Sequence, residues 1–201
     1  MLIIKYYVAL CMINIAIFAS GSGSNAENLF NYYANSTNVK IKLVITNNEN
    51  AGIVERANRY RKNIQIISKT ALTNYTEQLI DFLQTEKVDL IVLAGFLLKV
   101  PEALVKAFPN RIINLHPALL PKFGGKGMYG ANVHKAVIEA HEKESGITIH
   151  FVNEEYDKGE IILQAKCEVN TNDTPETLAE KIHQLEYEFL PKAVDKVIAD
   201  L

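Results

Sequence analysis

The sequence predicts a single doubly wound α/β domain with a mostly parallel sheet and an antiparallel addition near the C-terminus. Short β-branched runs alternate with helical segments through most of the chain, and strands joined by helices form parallel sheets covered on both faces. The last two strands are joined by a polar turn alone, which is typical of antiparallel pairing. With 201 residues, 48% of them hydrophobic and 22% charged, the chain suits one globular domain and excludes disordered, collagen-like and coiled-coil proteins.

Each element follows from a local pattern. Mostly apolar runs rich in Val and Ile predict strands at 13–19, 39–46, 64–67, 88–94, 111–115, 146–152 and 161–166. Helices are predicted at 26–35, 52–62, 73–86, 101–108 and 131–143, and a last long helix begins at Thr174. Asn74 followed by Glu77 forms a capping pattern, and Pro101 and Pro175 occupy first-turn positions. Ligands of such sheets bind at the carboxyl ends of the strands, which directs attention to the turns after 13–19, 88–94 and 111–115.

The N-terminal segment admits two interpretations. Residues 2–19 are almost continuously apolar and run into a Gly/Ser stretch, as in a secretory signal peptide. Residues 13–19 also have the pattern of a strand, however, and its removal would break a regular α/β arrangement. We therefore expect the domain to span 12–201, with Met12 as the natural start or residues 1–11 as a loosely attached extension. Lys5 and Asn14 interrupt the apolar run, which argues against a transmembrane helix.

Charge and cysteine use exclude several classes of partner. A net charge of −2 and a pI near 6.2 predict no surface for nucleic acid or an anionic membrane, so any anionic ligand must be held by a local pocket. Cys11 and Cys167 form no C-x-x-C pair and are interpreted as small buried hydrophobes in a cytoplasmic protein. No metal site is predicted, because no metal-binding pair is formed by His134, His141, His150 and His183.

The first motif is the turn Ser20-Gly21-Ser22-Gly23-Ser24-Asn25, between the first strand and the first helix. Its glycines permit positive φ and a close backbone approach, and donors at a helix N-terminus suit a phosphate. The turn lacks the third glycine of a dinucleotide fingerprint and the lysine of a P-loop. A phosphate monoester is therefore the favoured ligand, and a plain connecting turn is the alternative.

The second motif is Asn114-Leu115-His116-Pro117 at the end of a strand. Pro117 removes a backbone donor and ends the strand, and residues two apart on an extended segment project from the same side. An amide donor beside an imidazole is the pair that acyl transfer needs, one group to stabilise an oxyanion and one to move protons. The alternative is a motif that only terminates a strand.

The third motif is the acidic turn Glu154-Glu155-Tyr156-Asp157-Lys158-Gly159 between the last two strands. Acidic turns are usually solvated surface. Asp157 becomes a candidate functional residue only if the fold returns it to His116.

Taken together, four segments resemble the phosphoribosylglycinamide formyltransferases, folate-dependent enzymes of purine synthesis. In chain order these segments are Ser20–Asn25, Val92–Phe96, Ile113–Lys122 and Tyr156–Gly159. The Asn-Leu-His-Pro-Ala-Leu-Leu-Pro string is typical of enzymes that use 10-formyltetrahydrofolate, and the Gly-Ser-Gly-Ser-Asn turn narrows the resemblance to the glycinamide ribonucleotide branch. The resemblance extends from about Met12 to the end of the chain and implies a Rossmann-like formyltransferase domain.

The resemblance implies a reaction and three catalytic residues. The amine of glycinamide ribonucleotide would attack the formyl carbon of 10-formyltetrahydrofolate, giving formylglycinamide ribonucleotide and tetrahydrofolate without a metal. Asn114 would donate to the formyl oxygen, and His116 would transfer protons as an imidazolium. Asp157 would hold His116 and an ordered water, and would favour the charged imidazole. The implied partners are these small molecules only, and the chain is expected to be a monomer or homodimer.

The resemblance also implies two binding regions. Residues expected at the substrate are Gly23, Ser24 and Asn25 at its phosphate, and His183, Gln184, Leu185 and Glu186 in the last helix. Residues expected at the folate are Leu97, Leu98, Lys99, Val100, Asn114, Asn153, Glu154, Glu155, Tyr156 and Asp157.

The chain departs from the commoner family pattern after the Leu-Leu-Pro-Lys segment. Many relatives have Gly-x-His-x-His there, whereas this chain has a longer glycine-rich loop, 123–130, followed by Asn132-Val133-His134. We assign Asn132 no role and expect the loop to be mobile over the site.

Two kinds of rival function remain. A formyltetrahydrofolate deformylase, or a sugar or tRNA formyltransferase, would share the chemistry, but the deformylase and the tRNA enzyme carry an extra domain for which 201 residues leave no room. A non-catalytic phosphosugar-binding domain would make the presence of Asn114, His116 and Asp157 coincidental.

Overall fold

The computed structural model describes residues 12–201, and the predicted extension, residues 1–11, lies outside the described residues. The strands are β1 Ile13–Phe18, β2 Val39–Thr46, β3 Asn63–Ile66, β4 Leu90–Leu93, β5 Ile112–His116, β6 Glu144–Phe151 and β7 Ile161–Glu168. The helices are α1 Ser24–Tyr32, α2 Gly52–Arg59, α3 Lys69–Asn74, α4 Thr76–Thr85, α5 Glu102–Ala107, α6 Ala131–Glu139 and α7 Pro175–Ile198. None of these helices is long and apolar enough to cross a membrane.

The seven strands form one mixed sheet in the order β3-β2-β1-β4-β5-β6-β7. The pairs among the first five strands are parallel, and β5–β6 and β6–β7 are antiparallel, which confirms the predicted addition near the C-terminus. The chain runs outward from β1 in one direction and then restarts from β4 in the other. In sheets of this type the crevice at such a reversal is where ligands bind.

Apolar cores cover both faces of the sheet, which explains why β1 reads as a continuous apolar run. Ile15 and Ile17 pack on the face shared with α1, α2, α6 and α7, whereas Ala16 and Phe18 pack on the face shared with α3, α4 and α5. All four of these β1 residues are fully buried. The strand thus lies at the centre of the domain, as the interpretation of 13–19 as a strand required.

The helix predicted at 73–86 is wrong in its start and its cap. The structure has two helices there, and Asn74 is the last residue of α3, not a cap. Ser68 caps α3 by accepting from the Ala71 N–H at 3.1 Å, and α4 begins after Tyr75 with no side-chain cap. The Asn–Glu spacing alone could not distinguish a cap from a helix end, because both put Asn beside a break in the helix.

The helix predicted at Thr174 is confirmed. The Thr174 hydroxyl accepts from the Thr177 N–H at 3.3 Å, and Pro175 is the first helical residue. Pro101 lies one position earlier than predicted, at the N-cap of α5.

Candidate active site

A cleft of about 900 Å³ opens at the carboxyl ends of β1, β4 and β5. All three turns that the sequence singled out by position contribute to its wall. The segments that line it include residues 21–25, 93–100, 114–117, 125–131 and 155–157. The cleft lies at the reversal between β1 and β4, where the following helices diverge and leave a crevice.

The turn at 20–25 is held close to α2. Gly23 has φ +78°, and a Cβ there would lie 2.6 Å from Ile53 Cδ1, so both the backbone conformation and the contact require glycine. None of the backbone N–H groups from Gly21 to Asn25 has an acceptor among residues 12–201. The turn therefore presents unpaired amide donors at the start of α1, the arrangement that binds an anion.

One donor of the Asn25 side chain is held within the protein. Asn25 Nδ2 donates to Glu186 Oε2 at 2.9 Å, and the side chain is buried. Its contact with a ligand phosphate stays a prediction, because the amide carries a second N–H and the main-chain N–H is also unpaired.

Asn114 and His116 both extend from β5 into the cleft, as the two-residue spacing predicted. Asn114 Nδ2 lies 3.2 Å from His150 Nε2 and 3.4 Å from Asp157 Oδ1. His116 Nδ1 lies 3.7 Å from Asp157 Oδ2. The fold therefore does bring Asp157 back to His116, although the two residues are 41 positions apart in sequence. We name the four side chains of Asn114, His116, His150 and Asp157 the β5–β6 cluster.

A tight return of the chain positions Asp157. Its own φ is +54°, and two residues later a Cβ on Gly159 would lie 1.7 Å from the Phe151 carbonyl oxygen. Only glycine permits that approach, so Gly159 brings the 152–160 turn back against β6. The Asp157 carboxylate also accepts from the Gly125 N–H at 2.8 Å, which ties it to the glycine-rich loop.

The environment of His116 favours its neutral form, and the imidazolium role that the resemblance implies stays a prediction. Burial lowers the pKa of His116, and the nearby Asp157 charge and the Phe123 carbonyl only partly offset that effect. His116 Nε2 lies 2.8 Å from the Phe123 carbonyl, which can only accept, so Nε2 carries the proton. Nδ1 is then unprotonated, and its 3.7 Å distance from Asp157 is longer than a hydrogen bond.

Asp157 is ionised. Burial acts to raise its pKa, but the neighbouring His150 and the hydrogen bond from the Gly125 N–H outweigh burial, and the pKa lies below its usual value. A neutral imidazole beside a carboxylate is suited to accept a proton, because the carboxylate stabilises the imidazolium that forms.

His150 is a member of this cluster that the sequence analysis missed. It lies on β6 directly opposite Asn114 and is 2% exposed. Its Nδ1 donates to the Phe151 carbonyl at 2.8 Å, which leaves Nε2 as the acceptor for the Asn114 amide. A polar residue ending the apolar strand was the only available signal, and it could not show which strand would be its neighbour.

The glycine-rich loop packs over the β5–β6 cluster. The Phe123 carbonyl and the Gly125 N–H contact His116 and Asp157, and Asn132 Nδ2 donates to the Gly127 carbonyl at 3.2 Å. Asn132 thus supports the loop, a role the sequence analysis did not assign. The mobility of the loop stays a prediction.

A second polar cluster lies beside the 20–25 turn. Glu186 Oε2 accepts from Asn25 and lies 2.8 Å from His183 Nδ1, and the hydrogen bond to Glu186 raises the pKa of His183. His134, which the sequence analysis did not place at the site, is 5% exposed and lines the same cleft. Burial lowers the pKa of His134 and so favours its neutral form.

Gln184 and Leu185 do not line the cleft, which corrects their predicted substrate contact. Successive residues of a helix project about 100° apart, so the face that carries His183 and Glu186 turns the two residues between them away. Leu185 packs against the core instead, and Gln184 is exposed.

The segment 97–100, expected at the folate, lines the cleft, and its contact with folate stays a prediction. The backbone N–H and carbonyl groups of residues 98–100 have no partner within the described chain, so they are available to a ligand. Lys99 Nζ lies 5.6 Å from the centre of the Tyr156 ring, which joins this segment to the 152–160 turn. Asn153, Glu155 and Tyr156 line the cleft, whereas Glu154 does not.

Lys69, at the start of α3, also lines the cleft and was not predicted. Among residues 12–201, no group of three or more His, Cys, Asp or Glu side chains is arranged to hold a metal ion.

Comparison with known proteins gives consistent results. The formyl transferase family matches residues 13–194. The chain is 42% identical over 188 residues to the chloroplastic phosphoribosylglycinamide formyltransferase of Arabidopsis thaliana, covering 91% of this chain and 64% of that protein. It is 31% identical to the phosphoribosylglycinamide formyltransferase of Bacillus subtilis, covering 93% and 95%. The crystal structure of the enzyme of that name from Anaplasma phagocytophilum superposes with a TM-score of 0.85 at 35% identity, covering 94% and 88%.

The chain spans less than two thirds of the length of the two plant relatives, 64% for Arabidopsis thaliana and 59% for Vigna unguiculata.

Proposed function

The chain belongs to the formyl transferase family, and we propose that it transfers the formyl group of 10-formyltetrahydrofolate to the amine of glycinamide ribonucleotide. The products are formylglycinamide ribonucleotide and tetrahydrofolate, a step of purine synthesis. The observation that carries the proposal is the convergence of Asn114, His116 and Asp157 in one cleft that is also lined by two segments suited to two different ligands, residues 21–25 and 97–100.

The part of the cleft beside the 20–25 turn suits glycinamide ribonucleotide. The unpaired amides of the 20–25 turn would bind its phosphate, since amide donors at a helix N-terminus attract an anion even in a protein of net negative charge. The buried carboxylate of Glu186, 6% exposed, would accept hydrogen bonds from the ribose hydroxyls. The relatives that carry the name phosphoribosylglycinamide formyltransferase support this acceptor.

The part of the cleft lined by residues 97–100 suits the folate. A pterin ring carries several donors and acceptors in one plane, and the unpaired backbone groups of residues 98–100 would match them while Leu97 and Val100 offer apolar contact. When bound, 10-formyltetrahydrofolate supplies the formyl group. Lys69 and Lys99 also line the cleft, and their positive charges would favour the glutamate tail of the folate.

The proposed chemistry follows from the β5–β6 cluster. The substrate amine forms a bond to the formyl carbon, and the oxygen of that carbon becomes an oxyanion that accepts from Asn114 Nδ2. His150 Nε2 and Asp157 Oδ1 are neighbours 3.6 Å apart and can share one Asn114 N–H, which leaves the second N–H for the substrate. A well-placed oxyanion donor of this kind contributes about 3–4 kcal/mol.

His116 then moves one proton. The amine becomes positively charged on attack, and the unprotonated Nδ1 of His116 is the nitrogen able to accept its proton, with Asp157 stabilising the imidazolium. The bond between the formyl carbon and N10 of the folate breaks, and the same proton passes to N10. One amine proton has thereby replaced the formyl group on the folate, so atoms and charge balance.

The test is an absorbance assay for tetrahydrofolate formation. We expect 10-formyltetrahydrofolate to be consumed rapidly with glycinamide ribonucleotide present and slowly in its absence. Consumption at the same rate without the ribonucleotide would identify a deformylase, and calorimetric binding of the ribonucleotide without any binding of folate would identify a phosphosugar-binding domain. Either result would refute the proposal.

A further inference from the structure

We propose that Arg56 of α2 is a positioning residue for the phosphate site: it holds the Ser22 carbonyl so that the amides of the 20–25 turn face the cleft. The inference rests on the proposed function, in which this turn binds the substrate phosphate. It concerns a residue that does not line the cleft and so acts through the turn and not on the ligand.

Two consecutive carbonyls of the turn are held by α2. Arg56 Nε donates to the Ser22 carbonyl at 2.9 Å, and the Ile53 N–H donates to the Gly21 carbonyl at 3.2 Å. Gly52 lies against the same place, where an added Cβ would be 3.0 Å from the Ser22 oxygen. The first turn of α2 is therefore the back wall of the 20–25 turn.

The hydrogen bonds to the Gly21 and Ser22 carbonyls also fix the direction of the N–H groups that follow them. In a trans peptide the C=O and the following N–H point in opposite directions, and Leu120–Pro121 is the one cis bond among the described residues. With the Gly21 and Ser22 carbonyls directed at α2, the N–H groups of Ser22 and Gly23 are directed away from it. The cleft lies on that side, since residues 21–25 line it and no residue of α2 does.

Two buried atoms at this end of the cleft independently point to a ligand. Asn25 Oδ1 and His134 Nδ1 have no hydrogen-bond partner in the part of the chain that the structure describes, although their residues are 9% and 5% exposed. Both residues line the cleft. Unsatisfied buried polar atoms are rare, and together with the row of unpaired amides they indicate a polar molecule bound here.

Glu27 holds the Arg56 guanidinium in place. Arg56 Nη1 pairs with Glu27 Oε2, and Arg59 Nη2 pairs with Glu27 Oε1 at 3.1 Å. The two arginines share one carboxylate, but Arg59 makes no hydrogen bond to the turn within residues 12–201, and its side chain is 57% exposed against 28% for Arg56. Arg59 is thus a matched control: its loss removes the same charge from the same carboxylate and leaves the Ser22 carbonyl held.

The experiment compares R56M, R56Q and R59M in the full chain. Steady-state kinetics give kcat and KM for glycinamide ribonucleotide, and calorimetry with ribose 5-phosphate measures binding without turnover. We expect R56M to raise both KM and the ribose 5-phosphate Kd by about tenfold or more, with kcat changed by less than about twofold, since a charge-assisted hydrogen bond is lost away from the reacting atoms. R59M should stay within about twofold of the wild type.

R56Q separates orientation from charge. The glutamine amide nitrogen occupies the position of arginine Nε along the side chain, so it can still donate to the Ser22 carbonyl without the positive charge. We expect R56Q to recover most of the wild-type KM. Equal defects in R56Q and R56M, or an R56M protein with wild-type KM and Kd, would overturn the proposal.

The proposed function fails in a different way. If the wild type neither binds ribose 5-phosphate nor formylates glycinamide ribonucleotide, the phosphate site itself is refuted along with the role of Arg56. If the wild type does both and R56M is unchanged, the role of Arg56 alone is refuted. Urea unfolding of each variant shows whether a defect reflects loss of the fold. If R56M does not fold, the comparison of R56Q with the wild type and R59M tests the proposal.

Discussion

The β5–β6 cluster and the 20–25 turn are two regions of one cleft, and they are built in opposite ways. The cluster consists of side chains on two paired strands and the turn after them: Asn114 and His116 lie on β5, His150 lies on β6 opposite Asn114, and Asp157 lies in the 152–160 turn. His116 and His150 are buried, and Asn114 and Asp157 are half-buried. The turn has no regular structure before α1 and offers main-chain amides, with its side chains either exposed or already paired.

The difference teaches how each region can be changed. A side chain in the cluster can be removed while the strands that carry it remain, so a substitution there should reduce kcat and leave the fold. The turn owes its properties to backbone conformation, so its glycines and the contacts behind it matter more than its serines. Substitutions there should change ligand binding and stability together.

The largest effect is expected for His116→Ala. This change removes the proton-accepting group, and we expect kcat to fall by about 10²–10⁴ with the KM for glycinamide ribonucleotide changed much less. Single-turnover formyl transfer would measure the chemical step directly. Near-normal turnover of this variant would show that the cluster is not the catalytic region.

A smaller loss is expected when His150 no longer orients Asn114. His150→Met removes the Nε2 acceptor, and we expect kcat to fall by about tenfold to a hundredfold, within the contribution of a single oxyanion donor. His150→Gln keeps an acceptor at the same place and should recover much of that loss. In a double-mutant cycle with Asn114→Ala, His150→Met should add little, because both act on one donor; full additivity would contradict this role.

The turn can be tested at Gly23. Gly23→Ala places a Cβ against Ile53 at positive φ, and we expect about 1–3 kcal/mol of lost stability together with a KM for glycinamide ribonucleotide raised several-fold. Ser24→Ala, which keeps the backbone, should lower stability by less than about 0.5 kcal/mol. Urea unfolding and steady-state kinetics measure the two effects. A Gly23→Ala protein with normal stability would mean that the contact with α2 is not tight.

The smallest expected effect separates the regions by pH. Burial lowers the pKa of His116, so between its ordinary value of 6.5 and its lowered value in the folded protein the unfolded chain takes up a proton that the folded chain does not. Stability should therefore be unaffected by this group above pH 6.5 and should fall as the pH drops below it. Urea unfolding at pH 7.5 and 5.5 should show a smaller drop for His116→Gln than for the wild type.

The turn supplies the control for this pH test, because it contains no titratable side chain. Gly23→Ala should lower stability by the same amount at both pH values. A Gly23→Ala effect that depended on pH would contradict the separation of the two regions.

The fold was largely predictable, because β1, β2 and the alternation of strands with helices follow from local composition and period. The prediction was wrong where one local pattern fits two structures, as at Asn74, which ends a helix instead of beginning one. The Asn114–His116 pair was also predictable, since residues two apart on one strand share a face whatever the rest of the fold does.

Side chains that meet across strands were not predictable. His150 is paired with Asn114 by the antiparallel register of β5 and β6, and Arg56 reaches Ser22 across 34 positions of sequence. The direction in which the pKa of His116 shifts was not predictable for the same reason, because burial outweighs the effect of Asp157 and burial is a property of the whole fold.

The sequence by itself determined the order of strands and helices, the glycines that allow the 20–25 turn and the residue types of the reacting groups. Only the tertiary structure decided which groups are neighbours, which way the turn amides point and in which direction burial shifts the pKa of His116. The physical reason is range: backbone preference and side-chain period act over a few residues, whereas register, desolvation and carbonyl orientation depend on segments far apart in the chain.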